Sequence, residues 1–138
     1  MNNYIRRDAH HIVVFQGDDL RLLCTVRDQH GALIDISGAT EVEWNVSEDA
    51  GGAAVITKTL GSGTALTSPT GFLIDVLSAD TAGLSKTVYW PGLVAAARVP
   101  TDARAIDNSY YHQCVVTAAS GKKYTALAGR LFVRRSTL

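Results

Sequence analysis

Cysteine, net charge and long apolar runs are all scarce in this chain of 138 residues, and each shortage excludes something. Two cysteines, Cys24 and Cys114, are too few for a disulfide scaffold. Their spacing fits no zinc site, which needs four ligands in close pairs. Thirteen basic and thirteen acidic residues cancel, so the whole chain exerts no general attraction on nucleic acid or an anionic membrane. No apolar stretch approaches the ~20 residues of a membrane-crossing helix. The start, Met1-Asn-Asn-Tyr-Ile-Arg-Arg-Asp-Ala-His10, has no apolar run, so no secretory signal is visible. The chain is therefore expected to be made and kept in a cytoplasm until it is assembled or released, and the Asn45-Val46-Ser47 glycosylation triplet is discounted.

Catalytic signatures are missing too. No serine or cysteine sits in a recognisable nucleophile turn. Gly61-Ser-Gly-Thr64 lacks the lysine and following helix of a phosphate loop. Asp18 and Asp19 are neighbours, and neighbours on a strand point to opposite faces, so their carboxylates do not converge. His10 and His11 beside Asp8 are adjacent residues on an arm and a poor metal site. His30 falls in a polar turn. His112 is expected to face the core, bonded to a backbone carbonyl. The expectation is no enzyme, no cofactor and no resident metal.

Period-two alternation dominates what is present. Leu20, Leu22, Cys24 and Val26 alternate with Arg21, Leu23, Thr25 and Arg27. A turn follows at Asp28-Gln-His-Gly31, then a short extended piece, Leu33-Ile-Asp-Ile36. Val42, Trp44 and Val46 alternate with Glu41, Glu43 and Asn45. Asp49-Ala-Gly-Gly52 is a loop. Ala54 to Leu60 is a strand with Thr57 and Thr59 on its polar side, broken by Gly61-Ser-Gly63. Phe72, Ile74 and Val76 alternate with Leu73, Asp75 and Leu77. Ser78 suits a helix N-cap, Asp80 the first turn, and Gly83 a left-handed end to one turn of helix at a corner. His112, Cys114 and Val116 face inward, Ser120-Gly121 turns the hairpin, and Tyr124 to Val133 is the last strand. Pro91 to Arg104 is the best further helix candidate, cut short by Pro100.

About seven short strands with turns every 8–12 residues predict an all-β chain, a single immunoglobulin-like β-sandwich. Residues 1–11 form an N-terminal arm, 12–133 the sandwich with an insertion at 85–109, and 134–138 a tail. The order Cys24, Trp44, Cys114 resembles immunoglobulin strands B, C and F, although His112 stands where that pattern has tyrosine. With no export signal, both cysteines are expected as free thiols in the core. Charge is uneven, with five basic against nine acidic residues in 1–69 and eight against four in 70–138. That polarity suits either head-to-tail docking of copies or two solvated faces.

Phe15-Gln-Gly-Asp-Asp-Leu20, Ile36-Ser-Gly-Ala-Thr40, Lys58-Thr-Leu-Gly-Ser-Gly63, the Ser78–Leu84 corner and the Tyr110–Tyr124 hairpin carry a family resemblance. In this order they resemble small immunoglobulin-like virion proteins of tailed phages and prophages, including the N-terminal domain of upper baseplate proteins. The resemblance spans residues 12–84 and 109–133. It implies a structural role in a virion and no catalysis, in no particular part of the particle; the expected place is the tail or baseplate, as an adaptor or attachment module, with a capsid decoration or head–tail junction protein as the alternative. Partners would be other virion proteins and copies of itself, with no nucleic acid and no membrane. A carbohydrate-binding or host-recognition module is the reading from another class.

Departing from that family pattern, the insertion is apolar and aromatic. Structureless loops beyond about 12–15 residues are usually functional or disordered, and Tyr and Trp are enriched at interface hot spots. Val88, Tyr89, Trp90, Leu93 and Val94 are thus expected to contact another protein, the other reading being a cover over the end of their own sandwich. Tyr4 and Ile5 are the corresponding anchors if the arm reaches a neighbour, the other reading being a disordered tail.

Overall fold

The computed structural model describes residues 10–87 and 108–135. The insertion anchors Val88, Tyr89, Trp90, Leu93 and Val94, the arm anchors Tyr4 and Ile5, and the helix candidate at 91–104 lie outside them. The described chain is all-β with one short helix. Strands are β1 (Ile12–Phe15), β2 (Leu20–Thr25), β3 (Glu41–Ser47), β4 (Ala54–Leu60), β5 (Gly63–Ser68), β6 (Gly71–Val76), β7 (Tyr110–Thr117) and β8 (Lys123–Arg134); α1 is Ser78–Ala82.

Hydrogen bonding connects them in the order β1-β8-β7-β3-β4-β5-β6-β2. The link between β4 and β5 is only two residue pairs long, Thr59↔Gly63 and Leu60↔Thr64. There the chain passes from one layer, β1-β8-β7-β3-β4, to the other, β5-β6-β2. Gly63 makes that passage possible: its φ is +108°, and the Lys58 side chain fills the place a Cβ would take. With β2, β6 and β5 on one side and β3, β7 and β8 on the other, this is the strand distribution of an immunoglobulin-like sandwich.

Both layers feed one core. Val42, Trp44 and Val46 of β3, Cys114 and Val116 of β7, and Phe72, Ile74 and Val76 of β6 are all buried, with Leu22 and Cys24 packed against them. Alternation put each of these on the inner face, because a strand can bury only every second side chain. Trp44 is fully enclosed, as expected beside Leu22, Cys24, Ile74 and Cys114.

Local details differ from expectation in four places. β5 has no counterpart in the sequence reading; Gly63-Thr-Ala-Leu-Thr-Ser68 alternates weakly and is recruited by pairing with β6. Ser78 is not the helix cap: Leu77 takes that position, and Asp80 Oδ2 accepts the Leu77 N–H at 2.7 Å. Gly83 is not left-handed, with φ −94°. Arg134 belongs to β8 rather than to a tail; it is buried, and its guanidinium lies 4.7 Å from the centre of the Phe15 ring.

Candidate functional site

The β1–β2 turn and α1 hold one another by side-chain to backbone bonds. Helix ends leave carbonyls without partners, and here the Gln16 amide supplies them. Its Nε2 donates toward Thr81 O at 3.0 Å, Ala82 O at 3.2 Å and Leu84 O at 2.9 Å. Gly17 N–H donates to Thr81 Oγ1, and Asp19 Oδ1 accepts the Ser78 N–H at 2.7 Å. From below, Lys58 Nζ reaches Asp80 Oδ2 at 2.7 Å, with the two side chains 11% and 20% exposed. Lys58 is one residue out of phase with Thr57 and Thr59, which places it inward; a lysine on an inward face was the sequence signal for a buried ion pair. Three segments of the family resemblance, Phe15–Leu20, Lys58–Gly63 and Ser78–Leu84, are thereby one spatial unit.

From this corner the chain leads into the insertion. Lys86 N–H donates to the Tyr110 hydroxyl at 3.1 Å, and Lys86 Nζ donates to Glu48 O at 3.2 Å. On the returning limb Asn108 Nδ2 donates to Thr87 O at 3.4 Å. Both limbs are thus joined at a neck seated on the sandwich, immediately before Val88.

A second cluster ties the start of the described chain to the core. Trp44 Nε1–H donates to His112 Nδ1 at 3.1 Å, so Nδ1 is unprotonated. The proton is on Nε2, which donates to His10 O at 2.6 Å. His112 is therefore the core histidine bonded to a backbone carbonyl that its place in the alternation predicts. Burial pushes its pKa below the ordinary 6.5, outweighing the His10 carbonyl, which pulls the other way. Gly129 faces His112 across the ladder. A Cβ there would collide with the His10 backbone, so this glycine admits the chain. His10 N–H closes the arrangement on Ala128 O at 2.7 Å. His11 turns away from His10, its Nδ1 accepting the Arg130 N–H at 3.1 Å.

The outer face of the larger layer carries a shallow groove of about 530 Å³ between the 49–52 loop and β8. Tyr111, Gln113 and Asn45 project into it. Arg130 stacks 4.3 Å from the centre of the Tyr111 ring and donates to Ser109 Oγ. Asn45 Oδ1 accepts the Thr57 hydroxyl. Among the described residues no three His, Cys, Asp or Glu side chains are grouped to hold a metal ion. Cys24 and Cys114 are free thiols. Burial pushes the Cys24 pKa up to about 11 and that of Cys114 up to about 12, the latter helped by Cys24 and Glu43. Both therefore stay protonated and unreactive near neutral pH.

No protein-family model and no curated protein sequence matches the chain. One solved structure similar to it is the ZIG-8–RIG-5 IG1–IG1 heterodimer in its monoclinic form, at a TM-score of 0.40 and 13% identity, over 91% of this chain and 82% of that one.

Proposed function

We propose that the chain is a non-enzymatic structural protein of a tailed-phage virion, a tail or baseplate adaptor or attachment module, with other virion proteins and further copies of itself as partners. What supports this reading is the corner. Three of the five segments that carry the resemblance are bonded to each other there, and the chain leads from there into the aromatic insertion. A braced corner leading into a Tyr- and Trp-bearing insertion suits docking better than turnover.

Cryo-electron microscopy of purified particles tests it. Density for the sandwich in the tail or baseplate is the expected result. Density on the capsid surface or at the neck would replace the adaptor with a decoration or junction protein. Absence of the chain from intact particles would overturn the virion reading altogether. Within the particle, Tyr89→Ala with Trp90→Ala should leave the sandwich folded and weaken incorporation tenfold or more.

The outer-face groove favours one second reading, a carbohydrate-binding module. Gln113 and the Asn45 amide nitrogen offer the amide groups that sugars use, beside a Tyr111 ring with one face under Arg130. Glycan-array binding lost in Gln113→Ala would support it; no binding by the parent would remove it.

A further inference from the structure

β2 ends the sheet order, and among the described residues no strand lies on its other side. Its register with β6 is unbroken from Leu20↔Val76 to Thr25↔Gly71. Just past its end, Val26 N–H donates to Thr70 O at 3.0 Å, on the β6 side. Backbone groups alternate sides along a strand, so Leu20, Leu22 and Cys24 direct theirs at β6, while Arg21, Leu23 and Thr25 direct theirs outward. Among the described residues no backbone group pairs with those outward N–H and C=O groups.

Edges of this kind are templates for another chain, and proteins usually blunt them with bulges, prolines or free charges. β2 has no register shift and no proline. Its one charge, Arg21, is held on its own layer, with Nε 2.7 Å from Asp75 Oδ1. Leu23, in the middle of the outward set, is 76% exposed, more than any other large hydrophobic among the described residues. Leu73 and Ala65 lie in line with it across the register and extend the apolar strip. Beside the Thr25 end is open space, a groove of about 810 Å³ whose far wall is Lys123 to Ala126 of β8.

The residues on this edge select its occupant. A two-fold axis through Leu23 pairs two copies antiparallel. Leu23 then meets Leu23 of the other copy, Arg21 meets uncharged Thr25, and every outward N–H and C=O gains a partner. Sliding the axis to Arg21 would set like charges opposite each other, which is destabilising. Composition therefore favours one register.

We propose that β2 is a self-association edge, where two copies of this chain pair antiparallel through Leu20–Thr25, centred on Leu23, and merge their smaller layers into one continuous sheet. One strand pair buries less than the ~1,000 Å² of a stable interface. The pairing is therefore weak in dilute solution and strengthens where an assembly holds copies close together. It is a property of the edge itself and holds whether or not the chain belongs to a virion.

Sedimentation velocity on the full chain, from micromolar to millimolar concentration, tests the pairing. The parent should shift toward dimer as concentration rises. Leu23→Lys and Leu23→Glu should each weaken the dimer at least tenfold, because each sets like charges across the axis. An equimolar mixture of the two should regain it. Because Leu23 is largely exposed, both variants should fold, with circular dichroism and melting temperature as checks. A parent that stays monomeric at millimolar concentration, a dimer indifferent to both variants, or a mixture no stronger than either variant alone would overturn the proposal. So would a dimer that survives both variants but is lost on deleting residues 2–9, since the partner would then be the N-terminal segment.

Discussion

The two strands that end the sheet order meet their surroundings in opposite ways. At the β1 end the chain is anchored on its inward side, to β8 and through His112 to the core. The chain enters over Gly129, His10 bonds to Ala128 and His112, and His112 is fixed in turn by Trp44 in the core. At the β2 end no described residue pairs with the edge, where three residues direct backbone groups outward with an exposed leucine among them. Both strands belong to the same sandwich and share its core. Buried polar groups must be satisfied, and the His10 anchor achieves that internally for Trp44 and His112. An open edge leaves the demand to water or to a partner. The anchored end therefore reads as architecture, and the β2 edge with its exposed leucine as an interaction surface.

Substitutions in the core and in the side-chain ties around it should cost most. Trp44→Ala removes a fully buried side chain and the donor to His112, and should lower stability by about 3–5 kcal/mol in urea denaturation. A loss under 1 kcal/mol would mean that the core does not depend on this anchor. Asp80→Ala leaves Lys58 unpaired and Leu77 N–H uncapped. It should cost about 2–3 kcal/mol, below the range for a fully buried pair because both side chains keep some solvent contact. Adding Lys58→Met should recover part of that loss. Gly129→Ala should cost about 1–2 kcal/mol and speed amide exchange at His10, because the entering chain must move aside.

Acidity probes the same anchor with a smaller effect. The folded pKa of His112 lies below its unfolded value, so between the two the unfolded chain binds more protons. The His112 contribution is thus complete above about pH 6.5 and is lost as the pH falls through the folded value. Unfolding measured from pH 8 to pH 4 should show this decline in the parent, and His112→Gln should flatten it. The smallest effect on stability is expected at the open edge. Leu23→Lys should change unfolding free energy by no more than about 0.5 kcal/mol while abolishing self-association.

Much of this contrast was legible in the sequence, for a physical reason. A half-buried strand must alternate, so Leu22, Trp44, Ile74, His112 and Cys114 declared their faces without any structure. β5 was not legible, since Thr64, Ala65 and Leu66 hold no clean alternation and pair only because β6 is there. The Gln16 bonds to the corner were equally hidden: one side chain meets three carbonyls 65 to 68 residues away, and no local pattern encodes that. Leu23 was visible as an apolar residue on a polar face, but its significance depended on β2 being terminal, which is a property of topology. Lys58 could have been read from its phase in β4.

Amide hydrogen exchange along β2, followed residue by residue at low and high protein concentration, tests the open edge most directly. Leu22 and Cys24 should be protected at both concentrations, because their N–H groups bond to β6. Arg21, Leu23 and Thr25 should exchange rapidly when dilute and slow down together as concentration rises. Equal protection of all five amides in the dilute monomer would contradict an open edge, because something in the same chain would then be covering β2.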